Sequence, residues 1–140
     1  MAIAYAALLS TISSHLATCL GVKLLAADDD TIDALAQSNR RIDCEWFYRV
    51  DGIVPSIEDL NSNRLSVNLS LAGIWSTTCD PVETGRILRL VASGCRTIQI
   101  TPFPAGVDLI EITGDVALEQ QYGLTIASIP LRVMVEVSEV

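Results

Sequence analysis

The chain has 140 residues, half of them hydrophobic and 19% charged, which suits one domain with its own core and excludes a disordered segment. Its formal net charge is −8, against a nucleic-acid-binding surface as the main function. Basic residues are local: Arg40 adjoins Arg41, and Arg86, Arg89 and Arg96 lie close in sequence.

Residues 3–20 are apolar enough to resemble a signal peptide, and Leu16-Ala17-Thr18-Cys19 resembles a lipoprotein cleavage box. No Lys or Arg precedes the run, however, and Ser10, Thr11, Ser13, Ser14 and His15 interrupt it. Leu8, Ile12, Leu16 and Cys19 or Leu20 share one side of a helix, so the pattern predicts an amphipathic helix packed on a sheet, ended by Gly21. No other run is long enough to cross a membrane. Asp28, Asp29 and Asp30 then open a short helix closing near Asn39, where acidic side chains suit the positive end of the helix dipole. A calcium or magnesium site is the competing reading of this triplet, but the spaced oxygens, central glycine and terminal glutamate of an EF-hand are missing.

Residues 42–50 predict a strand, with Ile42, Cys44, Trp46, Tyr48 and Val50 on one face and Asp43, Glu45 and Arg49 on the other. Phe47 falls on the charged face, where it is either a partner contact or covered within the subunit by a loop or the first helix. Residues 51–63 read as a loop, unusually apolar at Ile53, Val54, Ile57 and Leu60. A strand follows from Arg64 to about Ile74, alternating Leu65, Val67, Leu69 and Leu71 with Ser66, Asn68 and Ser70. Trp75 ends it and is expected to be partly exposed, whereas Trp46 is assigned to the core.

Asp80-Pro81-Val82-Glu83 is a helix start, with a capping aspartate, proline at the first helical position and a glutamate placed to bond back. The helix is expected to end at Gly94 and give way to a short strand at 96–101 and a Pro102–Gly106 break. The remainder reads as at least two strands, with Gly114-Asp115 kinking or turning the first. Leu124 and Ile126 alternate in one phase, and Leu131, Val133, Val135 and Val137 in the other, which predicts a β-bulge at Ser128-Ile129-Pro130. The proline there marks a place where no ladder hydrogen bond is needed. The elements together predict an α+β fold: a mixed or mainly antiparallel sheet with an N-terminal helix and a central helix packed on it, in a single domain over 1–140.

Catalytic chemistry lacks a motif. His15 is the sole histidine, and there is no GxSxG elbow, GxGxxG or GxxxxGK[ST] sequence. Cys19, Cys44, Cys79 and Cys95 lack metal-ligand spacing and read as buried reduced thiols. No enzyme activity, cofactor or metal is expected.

The order of elements resembles the tail terminator proteins of tailed bacteriophages, the lambda-type minor tail family. The comparable stretches are residues 42–50, 64–75, 80–94 and 124–137. The resemblance implies a homo-oligomeric ring, commonly a hexamer, in the neck of the virion. Such a ring caps the tail tube, joins it to the head-tail connector, and lets DNA pass through an acidic lumen without specific binding. Phe47, Ile53, Val54, Ile57, Leu60 and Trp75 are then the candidate interface residues. Another phage neck or baseplate adaptor, a soluble non-catalytic binding module, and a small hydrolase without a recognisable motif are the alternatives.

Overall fold

The computed structural model describes residues 5–28, 30–38, 41–55, 64–78 and 81–136. The first helix, α1 (Tyr5–Leu20), repeats a large aliphatic every fourth position. Leu8, Ile12, Leu16 and Leu20 therefore form one buried stripe. Gly21 ends the helix at φ +69°, its N–H donating to the Thr18 carbonyl while that of Val22 donates to Ala17. This pair of bonds satisfies carbonyls that a helix end leaves open.

After the three-residue strand β1 (Leu24–Ala26) comes α2 (Thr31–Gln37). The Asp28 carboxylate accepts the Asp30 N–H at 2.9 Å and the Thr31 hydroxyl at 3.2 Å. Asp28 thus organises the helix entry through a turn closed on its own side chain, while Asp30, at the cap position, makes no side-chain capping bond.

The sheet has six strands in the order β1-β2-β3-β6-β4, with β5 also on β6. Strands β2 (Glu45–Pro55) and β3 (Arg64–Ser76) pair antiparallel, and β3 pairs antiparallel with β6 (Leu124–Glu136). Only β1 runs parallel to its neighbour β2, which makes the sheet mixed and the fold α+β. The loop expected from Asp51 is instead strand as far as Pro55, because a register shift between Val50 and Gly52 absorbs the turn-prone Asp51-Gly52. Strands β4 (Val107–Ile112) and β5 (Ala117–Gln121) lie end to end along the same side of β6. Gly114-Asp115 therefore kinks this edge and does not turn it back.

The bulge expected at Ser128–Pro130 is absent: β6 pairs residue for residue with β3 from Leu124 to Glu136. The two hydrophobic phases belong to two buried faces. Ile129, Leu131, Val133 and Val135 face the helix α1 side, whereas Leu124 and Ile126 face α2. One straight strand passes from one cluster to the other. Pro130 sits opposite the gap between β4 and β5, and its carbonyl accepts the Thr113 N–H at 3.1 Å. A strand residue's N and O point to the same side, so the missing N–H falls at that gap and not in the ladder with β3.

The same two-sidedness corrects Trp75 and Phe47. Trp75 is 1% exposed, packed with Ile87 and Ala127 under the central helix. Phe47 is 7% exposed, packed with Ile42, Ile74, Leu124 and Ile126 and roofed by Ile32, Leu35 and Ala36 of α2. Its cover is the short second helix, not a loop or the first helix. Ile42 belongs to this cluster and not to the Trp46 face, because regular strand begins only at Glu45 and parity is not carried across 42–44.

The central helix α3 (Pro81–Ile100) runs through Gly94, so the strand expected at 96–101 does not exist. Ile87, Val91, Gly94 and Ile98 are spaced four, three and four and form its buried stripe. A Cβ at Gly94 would come within 2.2 Å of Leu20 Cδ2. The glycine lets α1 and α3 approach and does not end the helix.

Candidate functional site

Four surfaces stand out among the described residues. The first is the half of the α2-side sheet face that lies beyond α2. Ser66, Asn68 and Ser70 of β3 lie there beside Arg49, Arg132 and Glu111, as the strand register requires. Its charges are matched internally: Arg49 Nε lies 3.0 Å from Asp51 Oδ1, and Arg132 pairs with Glu111. The Ser70 hydroxyl also donates to Asp51. Such a face is polar without being a strong attractor of either sign.

The second surface is the β2–β3 arm. Register places Val54 opposite Ser66 and Ile53 opposite Val67, so the two side chains point to opposite faces. They are 47% and 42% exposed. Ile57 and Leu60, the other two apolar residues expected to form an interface here, lie outside the described residues. Of the six expected interface residues, Ile53 and Val54 are thus exposed together, and Phe47 and Trp75 are withdrawn into the subunit.

The third is a cleft of about 610 Å³ between α3, the start of β2 and the turn leading into β1. Trp46, Ile87 and Leu90 line its apolar part, with Lys23, Arg86 and Glu45 around it. Lys23 and Arg86 are exposed and form no ion pair with a described residue. Sequence reasoning missed this cleft because it rests on β1, three residues too short to show periodicity. The fourth is a smaller hollow of about 390 Å³ beside Trp75, bordered by Leu88 of α3 and Leu118 of β5.

Among the described residues, the titratable groups with shifted pKa values are His15, Cys19 and Cys95. His15 Nε2 lies 3.6 Å from Cys19 Sγ, one turn along α1. Burial lowers the His15 pKa. Burial raises that of Cys19, with a smaller opposing effect from a hydrogen bond to Thr101. Both shifts favour the neutral forms, the opposite of an activated thiolate–imidazolium pair. Cys95 is likewise pushed up by burial. Among the described residues no three His, Cys, Asp or Glu side chains converge as a metal site, and no helix is long and apolar enough to cross a membrane.

No family model matches this chain, and no curated protein matches it.

Proposed function

We propose that this protein is a structural component of a phage neck, a tail terminator whose copies form a ring. The ring caps the tail tube and joins it to the head-tail connector. The reading rests on the β2–β3 arm. A strand that buries Trp46 and Phe47 at one end exposes adjacent apolar residues, Ile53 and Val54, on both faces at the other. An exposed apolar residue on each face of the arm gives neighbouring copies something to pack against from either side. The α+β architecture, with α1 and α3 on one sheet face and, on the other, a polar half left open beyond α2, is compatible with a subunit that turns one side to neighbours and one to a lumen.

The charge supports the same reading. At a net −8 and with the arginines of the open face matched to carboxylates, DNA phosphates are repelled or ignored along the passage. The chain carries out no chemistry in this role. Its work is to stop tube growth and present a docking surface.

The test is to add the purified chain to polymerising tail tube protein and image the product. Tubes should end in a ring and stop growing. Tubes of unchanged length with bare ends would refute the terminator role, and a stable monomer that binds a small ligand in the cleft would favour the binding-module alternative.

A further inference from the structure

The ring reading leaves open which surfaces meet, and the inference that follows rests on that reading. We propose that copies of this chain join edge to edge: the outer edge of β5 pairs antiparallel with the outer edge of β1 in a second copy, so that the sheet continues from subunit to subunit. Among the described residues each of these strands has a neighbour on one side only, β2 for β1 and β6 for β5. The two edges bound the same part of the sheet. Leu24, Trp46, Gly73, Ala127 and Leu118 form one row across five strands, and β1 and β5 run in opposite directions at its ends.

The backbone groups of the two edges match. The Ala27 N–H donates to the Tyr48 carbonyl at 2.9 Å, so Ala27 and Leu25 turn their N–H and C=O toward β2, and Leu24 and Ala26 turn theirs outward. On β5, Gln121 and Leu124 flank a two-residue turn at Tyr122-Gly123, both of positive φ, which makes them the hydrogen-bonded closing pair of the hairpin. Glu119 and Ala117 therefore face β6, and Leu118 and Val116 face outward. Pairing Leu24 with Leu118 and Ala26 with Val116 joins outward groups to outward groups and keeps the rows of the sheet unbroken.

The side chains agree with this register. It sets Lys23, immediately before β1, opposite Glu119, and neither forms an ion pair with a described residue. Opposite charges facing each other across strands favour the pairing and select the partner edge. Each edge also exposes a large aliphatic, Leu25 at 46% and Leu118 at 58%, and exposed aliphatics on an open edge invite strand addition. Four strand spacings, about 19 Å, separate β1 from β5 in an open sheet. The two edges face away from each other and cannot meet within one subunit. Their contact is head to tail, and its repetition closes into a ring when the rotation permits.

Disulfide trapping tests the register. Leu25 and Ala117 would face each other as a non-hydrogen-bonded pair, whose Cα separation of about 4.5 Å suits a disulfide. Both are exposed, so Leu25→Cys with Ala117→Cys should fold like the wild type by circular dichroism. After mild oxidation this double variant should run as a ladder of linked subunits on a non-reducing denaturing gel. Each single variant, and the wild type with its own four cysteines, should give no ladder. An equimolar mixture of the single variants should stop at the linked dimer, because each copy then carries half of the pair. Leu118→Pro gives a second readout without added thiols. It removes an outward N–H but no bond of the β5–β6 ladder, and should need at least about tenfold more protein to assemble than the wild type. If the wild type assembles and the folded double variant links no more than the single variants, or Leu118→Pro assembles like wild type, the edges do not meet and the ring stands without this contact. If the wild type itself remains monomeric, the ring reading fails and this contact with it.

Discussion

Trp75 and Gly94 carry consequences out of proportion to their place in the sequence. Trp75 follows a clear alternation and precedes Ser76-Thr77-Thr78, which reads as the wet end of a strand. It is buried because α3 begins only a few residues later and lays Ile87 over it. Trp75→Ala should therefore cost about 3–5 kcal/mol, as should Trp46→Ala, in denaturant unfolding. Gly94 and Gly85 lie in the same helix and should respond oppositely to alanine. A methyl at Gly94 collides with the buried Leu20 side chain, and Gly94→Ala should destabilise by about 1–3 kcal/mol. Nothing lies within 4 Å of a Cβ at Gly85. There, alanine should stabilise by about 0.5–1 kcal/mol through the lost freedom of the unfolded chain. Thermal midpoints of the two variants, moving in opposite directions, are the check.

Among the elements, α2 changes the meaning of Phe47. Seven residues with no fully buried side chain of its own, α2 looks like an ornament in the sequence. Its Ile32, Leu35 and Ala36 nevertheless close the second core cluster over Phe47 and Ile126. Phe47→Asp should thus place a charge in an apolar site and unfold the subunit or cost about 3–5 kcal/mol. Circular dichroism melting should show the loss before any effect on assembly can be read. The strands β2 and β3, the first helix and the start of α3 at Pro81 were legible, because long alternation and four-residue repeats report a buried face directly, whereas the cap expected at Asp80 lies outside the described residues. Three things were not. The phase change in β6 resembles a slip, since one sequence cannot say that a strand has cores on both faces. Gly94 resembles a helix end, since a packing glycine and a terminating glycine are the same residue. β1 is three residues long and has no period at all. The candidate surfaces followed suit: Ile53 and Val54 were visible as apolar residues in an arm, whereas the cleft built on β1 was not.

At the scale of the whole molecule, stability should depend on pH at both ends of the neutral range. Burial holds the His15 pKa below its ordinary 6.5. The unfolded chain then binds the proton more readily, so stability is present above 6.5 and is lost as pH falls toward the folded-state value. Cys19 and Cys95 are held above their ordinary 9.0, so their contribution is present below 9.0 and is lost as pH rises through the folded values. His15→Asn should therefore lower the stability lost between pH 7 and pH 5.5, measured by urea unfolding, while the Cys95 part of the alkaline limb persists.

Assembly is the property on which all of the functional reading depends, and it has one direct measure: the mass of the purified chain in solution by sedimentation equilibrium. Expected is a single closed species, an integral multiple of the 15.1 kDa subunit, whose mass does not grow with further increase in protein concentration. A 15.1 kDa monomer persisting through the micromolar range, or a polymer that lengthens without limit as concentration rises, would contradict the ring.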